Sequence, residues 1–293
     1  MKKQIKIIIS IIAIFSLITA YLSPINPQRK SGESAGNLAD ESTSNLSVRF
    51  LDVGQGNSIL ISLDDEYMLI DGGDRNHSSF VVSYLKKQGI TDLKYVVVSH
   101  YDADHLSGII GVINNFNIGT LIAPDYEADT KTYQSYRSAL STKKISPVHP
   151  ARGDSYTLGS SAFTIVCPDS YDYFDENNNS VGLRLTYGMQ SFLILGDAST
   201  ESEYAMLDSS LTLKSTVYLV SHHGSIHSTS ATFLDVVNPS YAVISVGENS
   251  YGHPTKEVLD RLEKKNISIY RTDLHGTIIF ETDGNSLNIS TKK

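Results

Sequence analysis

Cysteine is nearly absent from this 293-residue chain, which carries only Cys167. A single thiol excludes an internal disulfide and any cysteine-based zinc site. Lying just before Pro168 at a strand end, it reads as a small packed residue. Positive charge is also scarce. With 24 Lys and Arg against 32 Asp and Glu, the formal net charge is −8 and the pI is near 5.5. That balance argues against a broad basic surface for nucleic acid. Long apolar runs are confined to the beginning, and beyond residue 22 no stretch is apolar for long enough to span a bilayer. No short-period repeat is visible.

What the chain does have begins with Lys2, Lys3 and Lys6, followed by an apolar run from Ile7 to Leu22. A basic start and a hydrophobic run of this length form the pattern of an export signal. The run is short for a transmembrane helix. Ala20 offers a small residue before a cleavage point, so both cleaved secretion and an uncleaved anchor stay open. No Cys follows the run, which excludes a lipoprotein anchor. Either way the lysines stay inside and the globular part is exported, to be secreted or held on the outer face of the membrane. The expected organisation is a signal peptide or membrane anchor over 1–22, a disordered linker over 23–46, and one folded domain over 47–293. The linker is rich in Ser, Pro, Asn, Gly and acidic groups and has no hydrophobic period.

Within the folded part, strands are expected at 47–53, 57–63, 67–71, 94–99, 162–167, 181–187, 191–196, 216–221, 241–246, 268–271, 276–281 and 286–290. Helices are expected at 78–88, 105–115, 131–141, 201–208, 230–237 and 255–265. In the last, Val258, Leu259 and Leu262 share a face, and Thr255 is placed to cap the start.

The densest chemistry follows the apolar strand Tyr95–Val98. His100, Asp102, Asp104 and His105 fall within six residues. Four such groups in one loop repel one another and solvate poorly without a cation, and imidazole and carboxylate are its natural ligands. The arrangement recurs: one apolar strand runs into His222-His223-Gly224-Ser225, and another, Phe192–Gly196, ends in Asp197. Strand ends in a layered α/β fold gather at one edge, where sites are built. If the first helix after His100 begins near Asp104, then Asp104 and His105 sit at its mouth, displaced toward a second ion. His222 follows a serine as His100 does, which selects it as the ligand. His223 is left as a second ligand or a substrate contact. Ser225, Ser228, Thr229 and Ser230 precede a helix and suit either an anionic oxygen or helix capping.

The motif His100-x-Asp102-x-Asp104-His105 resembles the signature of the metallo-β-lactamase fold. Phe50–Ser58, Leu69–Gly73, Asn177–Leu183, Leu195–Asp197, Ser221–Ser225, Tyr251–Pro254 and Arg271–Asp273 follow in an order similar to one branch of it. That branch is the extracellular metallo-β-lactamase-type domain of the ComEC family of DNA-uptake channels. The similarity covers roughly residues 47 to 282 and departs at Asn57, where Asp is usual. The channel's membrane helices have no counterpart here, so a free-standing relative of that one domain is expected. The resemblance implies an α/β (α+β) fold, the αββα sandwich of two mixed sheets with outer helices. It implies two divalent metal ions, zinc or manganese. His100 and Asp102 would hold one, and Asp104, His105 and His222 the other, with Asp197 bridging both and a shared hydroxide as nucleophile. Asp104 and His253 are the residues expected at the chemical step, His253 facing the site to protonate a leaving oxygen or bind phosphate. Asp71 is expected to orient ligands from behind. Asp52 and Asp273 either do likewise or cap strand ends. Asp102 stands where β-lactamases of this fold use histidine, and the stretch containing Asn179 and Ser180 stands where they supply another. An oxygen-rich site of this kind favours Mn²⁺ relative to a His-rich zinc site.

The leading functional expectation is an exported two-metal hydrolase of ComEC-like type, a phosphodiesterase or nuclease acting on DNA or another phosphodiester. The alternatives are a hydrolase of cell-wall or small-molecule phosphoesters (phosphorylcholine esters among them) or lactones, and a non-catalytic, metal-stabilised surface binding protein. A membrane partner is implied only through an uncleaved N-terminal segment, and no obligate protein partner is evident.

Overall fold

Short β-branched and aliphatic runs punctuated by Gly, Asp and Asn form strands, and amphipathic runs between them form helices. The computed structural model describes residues 45–293. The expected signal or anchor over 1–22 and the linker up to residue 44 lie outside the described residues. In chain order come β1 (Leu46–Phe50), β2 (Ile59–Leu63), β3 (Glu66–Ile70), α1 (Ser78–Lys87), β4 (Asp92–Val97), α2 (Ala103–Asn115), β5 (Asn117–Ile122) and α3 (Lys131–Lys143). They are followed by β6 (Ser155–Leu158), β7 (Ser161–Cys167), β8 (Gly182–Tyr187), β9 (Gln190–Ile194), α4 (Thr200–Leu207), β10 (Val217–Leu219) and α5 (Ala231–Val237). Last come β11 (Tyr241–Ile244), α6 (Lys256–Lys264), β12 (Ser268–Arg271), α7 (Thr272–His275), β13 (Thr277–Thr282) and β14 (Leu287–Lys292).

The strands make two seven-stranded sheets, ordered β14-β13-β1-β2-β3-β4-β5 and β12-β11-β10-β9-β8-β7-β6. Each is mixed. In the first sheet β3, β4 and β5 run parallel, and in the second β9, β10, β11 and β12 do. Inward-facing residues such as Phe50, Phe163, Phe192 and Phe280 form one core between the sheets. A second core lies under α1, α2 and α3, and a third under α4, α5 and α6. This is the αββα sandwich. Cys167 is buried and unpaired in the third core, a packed residue as expected.

Two strands were not legible in the sequence. Both β5 and β6 are sheet edges. β5 interrupts its apolar pattern with Gly119 and opens half-exposed, and β6 has four residues, mostly polar. An edge strand is paired on one side only and carries a weak hydrophobic signature. The six longer helices lie where the periodicity puts them. Thr255 occupies the N-cap position of α6, but its side chain caps nothing and its hydroxyl donates to the Gly224 carbonyl at 3.2 Å.

The parallel strands decide where chemistry can be built. β3, β4, β9 and β10 end on the same side, and the sheets are tied together there: Val181 N donates to Ser99 O at 2.8 Å. Helix α2 is clamped to the end of β3. Gly72 N donates to His105 O at 2.7 Å, and a Cβ added at Gly108 would lie 1.8 Å from Gly72 O. Only glycine allows an approach this close, and it sets the depth at which His105 enters the site.

Candidate metal centre

The residues after the four parallel strand ends converge. Asp197 stands at the centre. Its carboxylate oxygens lie 3.2 Å from His105 Nε2, 3.4 Å from His223 Nε2, 3.8 Å from His222 Nε2 and 4.0 Å from His100 Nε2. Asp104 Oδ2 lies 3.3 Å from His223 Nε2 and 3.9 Å from His105 Nε2. Asp102 Oδ2 is 3.8 Å from His100 Nε2. Two sets have donor atoms close enough to share an ion: His100, His105 and Asp197, and Asp104, His105 and His223.

These groups fit a divalent cation better than they fit one another. His105 Nε2 and His223 Nε2 face each other at 3.3 Å. His100 Nε2 and Asp197 Oδ1 are buried without an aligned hydrogen-bond partner. Orphaned buried polar atoms are costly, and a cation between them removes the cost. Asp102 adds to this. It holds the N-cap position of α2 with extended backbone, yet its side chain makes no cap bond. An aspartate there normally contributes about 1 kcal/mol by capping. Here it stays half-exposed beside His100.

The rear faces of the imidazoles are fixed. His105 Nδ1 donates to Asp71 Oδ2 at 2.8 Å, and Asp71 also accepts from Ser99 N at 2.8 Å and from Ser99 Oγ at 2.7 Å. Having donated to Asp71, the Ser99 hydroxyl accepts from His100 Nδ1 at 3.0 Å. His223 Nδ1 donates to the Ser245 carbonyl at 2.7 Å. Each of these rings is thereby held with Nδ1–H turned away and Nε2 turned into the cluster, the orientation a ligating imidazole needs.

Electrostatics follow from the same crowding. Burial opposes charge on His105, but Asp197, Asp71 and Asp104 outweigh it and hold its pKa well above the usual imidazole value. Burial also opposes charge on His223, yet Asp197 and Asp104 lift its pKa to about 10. In turn His105 and His223 overcome burial to keep Asp197 well below the carboxylate range and Asp104 at about 2. His222 and His253 are pushed down, chiefly by burial.

The structure gives the paired histidines different surroundings. His223 is 2% exposed, joins Asp104 and His105, and is braced from behind. His222 is 24% exposed, 3.8 Å from Asp197, and its Nδ1 has no partner. The parallel with Ser99-His100 fails because Ser221 turns away to bond the Tyr218 hydroxyl at 3.0 Å. Both histidines have left-handed backbone, at φ of 51° and 55°. Non-glycine residues adopt it at a cost of about 1 kcal/mol each, and such strain collects at functional sites.

Other expected site residues face elsewhere. Asn179 donates to Tyr173 O and accepts from Tyr173 N, both at 3.2 Å, so it folds its own loop. Ser225 Oγ accepts from His227 N inside a turn, and Ser230 caps α5. Ser228 and Thr229 are buried in hydrogen bonds to Ser221 O and the Tyr218 hydroxyl. Asp273 is paired with Arg271 at 2.6 Å rather than with any ligand. Asp52 accepts from Gly54 N at the end of β1. Ser180 does serve the cluster, since its hydroxyl accepts from Asp197 N at 3.2 Å. His253 lines the same cavity of about 120 Å³ as Asp102, Asp104, Asp197, His222 and His223. That cavity also includes Gln55 and Tyr251, which sequence reasoning missed, as it missed Ser99 and Ser245. Gln55 and Tyr251 fall inside the Phe50–Ser58 and Tyr251–Pro254 motifs and Ser99 lies just before the His100 motif, but nothing in their residue type announced a role.

The sequence matches the metallo-beta-lactamase superfamily over residues 51–248. The chain belongs to that superfamily. It carries the superfamily's hydrolase fold, with the candidate metal ligands at the edge where the sheets meet. It is 28% identical over 250 residues to ComE operon protein 3 of Bacillus subtilis (strain 168), covering 79% of this chain and 32% of the relative. It is 31% identical over 238 residues to Competence protein ComA of Neisseria gonorrhoeae, covering 80% and 32%. The chain thus spans about a third of the length of these curated relatives. Among solved structures, Igni18, a metallo hydrolase from the archaeon Ignicoccus hospitalis KIN4/I, superimposes with a TM-score of 0.53 at 13% identity, covering 80% of this chain and 99% of that one. At that identity the likeness is one of fold. The similarity to competence proteins agrees with the ComEC-like order of the motifs.

Proposed function

We propose that this superfamily member is an exported, two-cation phosphodiesterase acting on DNA or a related phosphodiester. The observation that carries the reading is the Asp197 carboxylate placed among four imidazoles, with His105 common to both candidate ligand sets. Bound divalent cations would supply Lewis acidity and a water of lowered pKa. His100, Asp102 and Asp197 would hold one cation, and Asp104, His105 and His223 the other, with Asp197 turned to both. Asp71 and Ser99 keep the imidazoles aimed. Without cations the carboxylates of Asp102, Asp104 and Asp197 would repel a phosphodiester, so charge neutralisation must precede substrate approach. The position of His253 on the cavity wall supports a role in handing a proton to a leaving oxygen or holding a phosphate oxygen. The oxygen-rich set supports Mn²⁺ over Zn²⁺. Similarity to competence proteins supports DNA as the polymer.

Mn²⁺-reconstituted protein is expected to cleave bis-p-nitrophenyl phosphate and single-stranded DNA, the latter less well as salt rises. Turnover of a lactone, a β-lactam or a phosphorylcholine ester, with no diester cleavage under any metal, would overturn the phosphodiesterase reading. Export is supported by the basic start and the Ile7–Leu22 run. A reporter fused behind residues 1–46 should appear outside the cytoplasmic membrane. Its retention in the cytoplasm would reject export.

A further inference from the structure

The rim of the metal cavity carries an aromatic ring that packing does not explain. Tyr251 lines the cavity and is 73% exposed. Its position is nonetheless fixed. The Asn249 side chain accepts from Tyr251 N and His253 N, both at 3.1 Å, and donates to Gly247 O and His253 O, both at 2.9 Å. One side chain therefore staples the whole 247–253 loop. The Tyr251 ring stacks on His253 at 5.7 Å and 27°, and His253 meets His222 edge-on at 5.5 Å and 83°. The three rings form a ladder from the cluster to solvent. Beside the outermost ring lies Gly252, whose missing Cβ would touch nothing within 4 Å.

An aromatic side chain gains stability by burying its faces, and this ring is held with most of its surface in water. The cavity of about 120 Å³ has room for a phosphate-sized group and not for what the phosphate is attached to. A substituent on that phosphate must leave across the rim, where Tyr251 stands. We propose that Tyr251 is a substrate-positioning residue that stacks a nucleobase next to the scissile phosphodiester. This rests on the phosphodiesterase reading and names its substrate as a nucleotidyl group. A neutral planar ring suits the platform better than a cationic headgroup, which would sit close to the divalent cations and to the imidazoles of His222 and His253. Base stacking tolerates any base, so it needs no basic surface, in keeping with the net charge of −8.

The test compares two esters with one leaving group, thymidine 5′-(p-nitrophenyl phosphate) and methyl p-nitrophenyl phosphate, together with direct binding of thymidine 5′-phosphate, phosphorylcholine and inorganic phosphate. The unsubstituted protein should favour the nucleoside ester. Tyr251→Ala should lose about tenfold of that preference, mostly in KM, while Tyr251→Phe and Tyr251→Trp retain it. Thymidine 5′-phosphate should bind more tightly than inorganic phosphate, and Tyr251→Ala should close that gap. Cleavage of both esters with the preference unmoved by Tyr251→Ala overturns the stacking proposal and spares the phosphodiesterase reading. Cleavage of neither defeats that reading, and binding then decides. Equal affinity for thymidine 5′-phosphate and inorganic phosphate, or tighter binding of phosphorylcholine, overturns stacking. A Tyr251-dependent gap upholds it.

Discussion

Replacing Asp197 with alanine is expected to leave a folded protein that retains at most one tightly held cation and loses roughly 10³-fold or more in hydrolysis. Among the described residues, its side chain is the one carboxylate that faces His100, His105, His222 and His223 together. Its backbone is held independently by the Ser180 hydroxyl, and Gly196 makes the preceding turn at φ 59°. The shape of the strand end should therefore survive the substitution. Asp197→Asn keeps the volume and one acceptor but not the charge, and should fall between the two proteins in cation content. Metal analysis beside circular dichroism and turnover measures all three properties. Two ions per chain with unimpaired turnover in Asp197→Ala would end the shared-carboxylate reading. In the metal-free variant, NMR titration should find the pKa values of His105 and His223 lowered, since each is raised in part by Asp197.

Cation affinity is expected to climb steeply with pH, by up to about 100-fold per unit where two protons are displaced. The sign follows from the histidines. His105 and His223 are held protonated by neighbouring carboxylates, His223 up to about pH 10. A ligating Nε2 must give up that proton. Binding therefore releases protons at neutral pH, and the affinity gain should flatten as pH passes the pKa of His223. Isothermal titration in buffers of differing ionisation enthalpy counts the released protons. A pH-independent affinity would show that these histidines do not bind the metal. The stability of the metal-free protein should move the other way at the alkaline end. A raised histidine pKa contributes stability that is full below the unfolded value of about 6.5 and is lost as pH rises toward the folded one. The depressed Asp197 and Asp104 contribute stability above the unfolded carboxylate value of about 4, lost as pH falls below it. Without metal, stability should peak between about pH 4 and 6.5, and added cation should shift that optimum upward.

Much of the architecture was legible because the core strands and helices carry strong periods. β2 is a nearly continuous apolar run, β8 alternates Leu183 and Leu185 with Arg184 and Thr186, β9 ends in Phe192-Leu193-Ile194, and α6 alternates Val258 and Leu262 with charged neighbours. The edges β5 and β6 were lost because one-sided pairing needs little apolar surface. The ligand-type residues were legible for a different reason. A cluster such as His100-x-Asp102-x-Asp104-His105 has no packing use, so its chemistry stands out against a strand that does. Supporting residues do not stand out. Ser99 and Asn249 are ordinary polar side chains, and Ser245 acts through its backbone carbonyl, so their importance lies in which atom they face.

Sequence by itself pointed to the sandwich and the superfamily through the resemblance of its ordered motifs to a known family, and its strand-end clusters named the side chains available to bind metal. It could not decide between His222 and His223, nor send Asn179, Ser225 and Asp273 away from the site. Those outcomes depend on direction. Two adjacent histidines in left-handed backbone point to different places, and the ring that enters the cluster is the one whose Nδ1 meets the Ser245 carbonyl. That carbonyl follows β11, on a strand distant in sequence. The parallel pairing of β10 with β11 in the second sheet brings it within hydrogen-bonding distance. The closing of the two sheets brings Asp104 and His105, which follow β4, against His223 and Asp197, and so helps to lift the pKa of His223 and depress that of Asp197, since burial strengthens every charge interaction it leaves paired.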